Sequence, residues 1–181
     1  MTRTVYNTAT SLDGFIATED HSLDWLFATD SDEAEGEIGE FLKGIGALLM
    51  GASTYEWVHR HEGGEGWAYA MPSWVLTHRE LPAFEGGNDI RFASADSDDE
   101  LRALHAKAAE SAGDKDLWLM GGGKVAADLA RLGLLDEVIV SIAPVTLGAG
   151  APLLAGRVDL KPVEVHRAGD FACARYEVVR P

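Results

Sequence analysis

The chain has 181 residues, a size that fits one domain with its own core. Its 46% hydrophobic and 25% charged residues exclude the disordered, collagenous and low-complexity classes. Fifteen Lys+Arg against 30 Asp+Glu give a formal net charge of −15 with no basic run, which argues against nucleic acid or an anionic membrane as a partner. The single cysteine, Cys173, excludes an intrachain disulfide, CxxC redox chemistry and Cys-rich zinc sites. The segment Met1–Asn7 lacks the apolar core of a signal peptide. No apolar run approaches the ~20 residues of a membrane span, so a soluble cytoplasmic protein is expected.

In chain order, Thr4–Thr10 is rich in β-formers and predicts a first strand, and Leu12-Asp13-Gly14-Phe15 a turn. Asp32–Leu42 predicts a helix with Ala34, Ile38, Phe41 and Leu42 on one apolar stripe, weakened by Gly36 and Gly39. Ala47–Met50 is a short buried strand and Thr54–His59 a short helix, while His61–Tyr69 is a glycine-rich loop. Trp74–Thr77 and Ile90–Ala93 are strands, and Asp98–Ser111 is a helix with Leu101, Leu104 and Ala108 inward. Leu117–Met120 is a strand stopped by three glycines, Lys124–Leu132 a helix closed by Gly133, and Glu137–Ala143 a further strand. Pro162–Ala168 and Phe171–Val179, joined by Gly169-Asp170, predict an antiparallel hairpin with Cys173 packed in an edge strand. Strands alternating with helices indicate an α/β fold with a mixed, mostly parallel sheet and an antiparallel C-terminal edge.

Gly121-Gly122-Gly123-Lys124-Val125, between a buried strand and a helix start, is the strongest local signal for chemistry. Glycine lets the backbone approach a ligand closely, and a helix N-terminus aims free N–H groups and partial positive charge at an anion. The segment therefore predicts a phosphate or pyrophosphate cradle, although the same glycines also suit a tight strand–helix join. Neither the GxxxxGK[ST] nor the GxGxxG pattern fits it. Met50-Gly51-Ala52-Ser53-Thr54 repeats the theme, with Ser53 or Thr54 able to cap a helix or to donate to a phosphate. After the strand at 74–77, Thr77 and Arg79 stand where a guanidinium can grip a phosphate or simply face solvent. Three such ends after parallel strands share one rim, the place where an open α/β sheet binds a nucleotide.

Trp25 has Asp24 beside it and Asp30 five residues on, so that a carboxylate half-buried against the indole would have a raised pKa and could relay a proton. Against this, positions 28–40 carry six acids and no base, the pattern of a solvated helix face. His59, His61, Glu62 and Glu65 lack any metal-ligand spacing, so no metal site is expected.

Ser11-Leu12-Asp13-Gly14-Phe15-Ile16-Ala17 resembles the SLDGxIA signature of the riboflavin-biosynthesis reductase domain, the C-terminal half of bacterial deaminase-reductases. The triple glycine, then Leu134-Leu135-Asp136-Glu137, then Pro144–Leu153 resemble that family in order and spacing over nearly the whole chain. The resemblance implies a dihydrofolate reductase-like, three-layer α/β/α fold over residues 1–181, with homodimerisation. It also implies an NADPH-dependent reductase acting on a small heterocyclic or sugar-linked molecule. By the same likeness Gly51, Ser53, Thr54, Gly121, Gly122, Gly123, Lys124 and Val125 serve the cofactor phosphates, and Gly121–Gly123 often hold a cis Gly–Gly bond in the family. Thr77 and Arg79 serve the adenosine 2′-phosphate, and Ala9, Ile16 and Ala17 the nicotinamide. Trp25 with Asp30 matches the Trp-x4-Asp spacing of the dihydrofolate reductase carboxylate, with Asp24 competing. Ala52 stands where dihydrofolate reductases carry Arg, which leaves FMN or a deazaflavin as alternative cofactors. Between His61 and His78 no Lys or Arg occurs to hold a folate tail unless Arg60 reaches it, and Arg157 is the candidate for a substrate phosphate.

Overall fold

The computed structural model describes residues 2–29, 32–64, 66–86 and 88–180. In chain order the elements are β1 (Thr4–Ser11), β2 (Phe15–Ala17), α1 (Asp24–Phe27), α2 (Asp32–Lys43), β3 (Ile45–Gly51), α3 (Ala52–His61), β4 (Ser73–Leu76) and β5 (Ile90–Ala93). They continue with α4 (Asp98–Ser111), β6 (Asp116–Gly121), α5 (Gly123–Arg131), β7 (Glu137–Ala143), β8 (Ala151–Pro152), β9 (Leu160–Ala168) and β10 (Phe171–Val178). An eight-stranded sheet runs in the order β5-β4-β3-β6-β1-β7-β10-β9, and β2 pairs with β8 in a separate ribbon. Strands β5 to β7 in that order are parallel, while β10 lies antiparallel to both β7 and β9. This is the mixed, mostly parallel α/β sheet that the alternation of elements predicts.

Alternate residues of the central strands supply the two faces, since strand side chains point to opposite sides in turn. Leu49, Leu117, Leu119, Val138 and Val140 pack under α4 and α5, through Leu101, Leu104, Ala108, Ala126 and Leu129. Leu48, Met50, Val75 and Trp118 form the other face with Tyr55 and Val58 of α3 and an aromatic group of Trp67 and Phe84. Phe41 of α2 meets Trp118 edge-on, with ring centroids 5.5 Å apart. The Trp118 indole N–H donates to the Asn7 carbonyl at 3.0 Å, which satisfies the buried polar atom of that ring. Helix α4 starts where Ser97 Oγ accepts the Glu100 N–H (3.2 Å), and Glu100 in return accepts the Asp96 N–H (2.6 Å), so two donors of the helix entry are satisfied.

Three sequence expectations change. The helix read as Thr54–His59 spans Ala52–His61, so His61 is helical and stacks on Trp57 rather than sits in the loop; the two rings lie 4.7 Å apart. Cys173 lies in β10, which β7 and β9 flank, so it is interior and only 2% exposed. The ribbon of β2 and β8 and the four-residue α1 were not anticipated, because elements this short carry no periodicity.

One carboxylate ties the turn before β2 to the loop that leads into β8. Asp13 accepts the N–H groups of Leu147 (3.0 Å) and Gly148 (2.7 Å) and the Ser11 hydroxyl (2.6 Å). Those donors, the Ser11 hydroxyl foremost, hold its pKa down at about 2. A carboxylate depressed in the folded state stabilises above its unfolded pKa of about 3.9 and loses that contribution as pH falls through the folded value. Wild type is therefore expected to exceed Asp13→Asn in urea midpoint at pH 7, with the gap closing between about pH 4 and pH 2. A gap that stays constant over that range would show that the carboxylate charge is not the cause.

Candidate functional site

Neighbouring parallel strands deliver their carboxyl ends to one rim. Because β4, β3 and β6 are adjacent, Thr77, Gly51 and Gly121 lie side by side there. A cleft of about 300 Å³ opens along this rim. Its walls are Ser53, Thr54 and Trp57 of α3, Gly121 to Lys124 at the β6–α5 join, and Ile16 and Ala17 of β2 facing Ala151 and Pro152 of β8. Thr8 and Met120 contribute from β1 and β6.

The defining feature is the contact of two strand-to-helix turns. Gly51 is the N-cap of α3 and Gly122, at φ +107, the N-cap of α5. That φ suits glycine because no Cβ is present to clash. A Cβ added to Gly122 would stand 3.5 Å from the Gly51 backbone N, so the two caps touch. Neither helix has a side-chain cap or an acid in its first turn. The first hydrogen bond into α5 runs from the Ala126 N–H to the Gly122 carbonyl (2.9 Å), so the amides of Gly123, Lys124 and Val125 precede the ladder. Two positive dipole ends and two sets of free amides therefore meet at one edge of the cleft, which is an anion-binding arrangement. Close packing forces the glycines: a Cβ on Gly121 would collide with the Thr54 side chain, and one on Gly123 with the Pro152 carbonyl.

The sequence-predicted residues divide. Ile16, Ala17, Ser53, Thr54, Gly121, Gly122, Gly123 and Lys124 line the cleft. Ser53 and Thr54 sit inside the first turn of α3 and do not cap it, which removes the capping reading. Val125 packs its Cγ2 toward Gly51 and stays off the cleft wall. Ala9 likewise is not on the wall; its neighbour Thr8 is, since adjacent strand residues face opposite ways. Gly121–Gly122 is trans, because no cis peptide occurs among the described residues.

Both candidate cations already have carboxylate partners. Arg79 donates through both terminal nitrogens to Glu56 (3.0 and 2.8 Å), and its N–H donates to Thr77 Oγ1 (3.0 Å). Lys124 donates to Asp128 at 2.6 Å. Arg157 pairs with Asp159 beside a different cavity along α5 and does not reach the cleft.

Of the two carboxylates considered beside Trp25, Asp24 does not take the half-buried place expected from the residues alone. Asp24 is exposed at the start of α1, not half-buried. Trp25 turns toward Ala143, Ala168, Phe171 and Cys173, and its buried indole N–H has no partner among the described residues. Asp30 lies outside the described residues.

Sequence reading missed His21, Leu23, Trp57, Met120, Ala151, Pro152 and Ala155 on the cleft walls. Trp57 had a usable signal, since it follows Ser53 by four residues and so shares its helix face. Pro152 had none, because β8 reaches the cleft by long-range pairing. The Leu153 N–H donates to the Gly14 carbonyl (2.8 Å), and the Ala155 N–H to the Gly123 carbonyl (3.1 Å).

This fold and cleft can be compared with known proteins. Residues 3–173 match the RibD C-terminal domain, and the chain belongs to that family. The uncharacterized protein YwjB of Bacillus subtilis (strain 168) is 31% identical over 159 residues, covering 83% of this chain and 82% of its own. Among solved structures, a protein of Shewanella sp. PV-4 provisionally assigned to riboflavin biosynthesis is 24% identical, with TM-score 0.78 and coverage of 98% of this chain and 99% of that one. A deaminase/5-amino-6-(5-phosphoribosylamino)uracil reductase from Thermotoga maritima is 17% identical, with TM-score 0.66, covering 98% of this chain and 57% of that longer one. Dihydrofolate reductase from Enterococcus faecalis, solved with NADP(H), is 16% identical, with TM-score 0.58 and coverage of 97% and 96%. The fold is dihydrofolate reductase-like.

The glycine contact generates a direct test. Gly121→Ala is expected to lower stability by about 1–3 kcal/mol through overpacking, read as a fall in urea midpoint. Thr54→Ala in the same chain removes the colliding side chain and should recover most of that loss. Equal midpoints for the single and double variants would show that the contact is not what requires glycine.

Proposed function

We propose that this protein is an NADPH-dependent reductase of the riboflavin-biosynthesis type, acting on a small heterocyclic or sugar-linked substrate. The observation that carries the reading is the meeting of two uncapped helix N-termini at Gly51 and Gly122 beside the cleft. A pyrophosphate suits that site in charge and in its need for backbone donors. The glycines at Gly121 and Gly123 let this turn pack directly against Thr54 and Pro152, which line the same cleft.

In this reading the amides of Gly123, Lys124 and Val125, with the hydroxyls of Ser53 and Thr54, hold the cofactor's phosphates. Thr77 and Arg79 lie one strand further out and take the 2′-phosphate, with Arg79 exchanging its Glu56 partner for the new anion. Ile16 and Ala17 border the nicotinamide end. The cofactor supplies hydride chemistry when bound, and the protein's share is orientation and exclusion of water. Asp30 orients the substrate and assists its protonation. Family membership supports a reductase, and two of the structural neighbours are reductases by name. No helix among the described residues is long and apolar enough to cross a membrane, which fits a protein that meets its ligands in solution.

The test is direct titration with NADPH, NADH, FMN and a deazaflavin, followed by turnover of 5-amino-6-(5-phosphoribosylamino)uracil and of dihydrofolate. NADPH binding with oxidation on the aminouracil is expected. Binding of none of the four would overturn the proposal, and preference for a flavin would move the chemistry to another class. Arg79→Ala should weaken NADPH about tenfold or more while sparing NADH, since a charge-assisted phosphate contact is worth about 1.5–3 kcal/mol; equal loss of both would remove Arg79 from 2′-phosphate recognition. Asp30→Asn should cut turnover at unchanged NADPH affinity, and unaltered turnover would exclude it from the reaction.

A further inference from the structure

A second cavity, of about 810 Å³, lies away from the nucleotide cleft, between α2 and the β7–β10–β9 end of the sheet. Sheet register builds its floor. Ser141 of β7 is the partner of Cys173 in β10, and Cys173 is the partner of His166 in β9. Three residues in one transverse row face the same way, because directly paired strand residues share a side. Glu37 of α2 closes over this row. Its Oε1 stands 2.8 Å from His166 Nε2.

The geometry points to a binding site for a zinc-class divalent cation, with Cys173 Sγ, His166 Nε2 and Glu37 as ligands and a fourth position open to the cavity. One ligand atom from each residue lies within 4.8 Å of the others, and among the described residues this is the one such group of His, Cys and acid side chains. Bond lengths of about 2.0–2.3 Å at tetrahedral angles place ligand atoms roughly 3.5 Å apart, within reach of side-chain rotation. One sulfur, one imidazole nitrogen and one carboxylate oxygen form a mixed donor set that suits zinc better than calcium or magnesium.

Two further observations support a site over a chance cluster. His166 Nδ1, the nitrogen not used for the ion, lies 3.9 Å from a Glu164 carboxylate oxygen, beyond hydrogen-bond distance, so Glu164 adds negative charge beside the ring. The surroundings are also net acidic: Glu33, Glu40 and Glu164 line the cavity with Glu37, against Arg175, which is itself drawn to Glu164 (3.7 Å) and Glu137 (3.9 Å). That field favours a cation. Binding replaces the Cys173 S–H bond by an S–metal bond, with the proton released to solvent. Burial first, and then the nearby Glu37 charge, hold that thiol above its ordinary pKa, so without an ion it stays protonated and donates to Ser141 Oγ at 3.7 Å. An ion here would fasten α2 to the C-terminal hairpin, which Glu33 already touches by accepting the Gly169 N–H (2.7 Å). None of these residues lines the nucleotide cleft, so the proposal is independent of the reductase reading.

The test uses the full chain, cleared of metal by a chelator and titrated with Co(II) and then Zn(II) in the presence of a phosphine reductant. One equivalent of Co(II) is expected, with a near-ultraviolet thiolate-to-cobalt charge-transfer band that Zn(II) abolishes. Cys173→Ser should lose the band, and Glu37→Gln and His166→Gln should each weaken binding at least about tenfold. Glu37 is half exposed on a helix, so its variant keeps the test decisive if Cys173→Ser does not fold. Absence of the band in wild type, or Co(II) affinity unchanged in Glu37→Gln and His166→Gln, would overturn the proposal.

Discussion

The contact between Gly51 and Gly122 is the constraint around which the rest of the molecule is arranged. Two parallel strands, β3 and β6, end at neighbouring points and both pass directly into helices. A Cβ at either turn would meet the other only at van der Waals distance; glycine is required at Gly122 by its φ of +107 and at Gly121 to leave room for Thr54. Two helix N-termini are then held at one place with their first amides unpaired. In a core this would be a cost, since free N–H groups need partners. At the rim of the sheet those amides stay accessible, and the proposed reading gives them a negatively charged ligand.

Net charge and local charge separate cleanly in this protein. A formal charge of −15 describes the surface as a whole. At physiological salt the Debye length is about 8 Å, so carboxylates elsewhere on the surface matter little inside the cleft. The basic side chains near the rim do not supply a free positive field either, because Arg79 is held by Glu56 and Lys124 by Asp128. In a chain with twice as many acids as bases, a cation readily finds a carboxylate. What is left for the ligand is fixed partial charge on backbone amides, which no side chain can neutralise when the first helical turns contain no acids. The acids do have a consequence at the other end of the sheet, where Glu33, Glu37, Glu40 and Glu164 surround His166 and Cys173.

Closure of the cleft depends on contacts between distant parts of the chain. Asp13 binds the amides of Leu147 and Gly148, the Leu153 N–H reaches Gly14, and the Ala155 N–H reaches Gly123. A Cβ on Gly150 would strike the Ala17 carbonyl, so the loop before β8 lies directly on β2. These links set Ile16 and Ala17 against Pro152 and give the cleft its third wall. The wall is thus only as rigid as a few hydrogen bonds across more than a hundred residues of sequence, Asp13's among them.

The sequence by itself determined the strands of the main sheet, the long helices, the parallel body with its antiparallel hairpin, and the glycine turn between β6 and α5. Each of these rests on short-range rules: apolar periodicity for Leu101, Leu104 and Ala108, a β-run followed by glycines for Leu117–Gly123, a tight link for the hairpin. The likeness around Ser11–Ala17 and Pro144–Leu153 carried the fold family, which the residue patterns alone did not reach. Only the tertiary structure decided which neighbours those residues meet. It faced Trp25 into the hairpin cluster, left Asp24 in solvent, gave Arg79 and Lys124 acidic partners, and put Thr8 rather than Ala9 on the cleft wall. It also placed Cys173 between Ser141 and His166 under Glu37, from residues up to 136 positions apart. Local pattern says which face a residue occupies, but register and strand order say what stands opposite, and those are settled by the whole sheet at once.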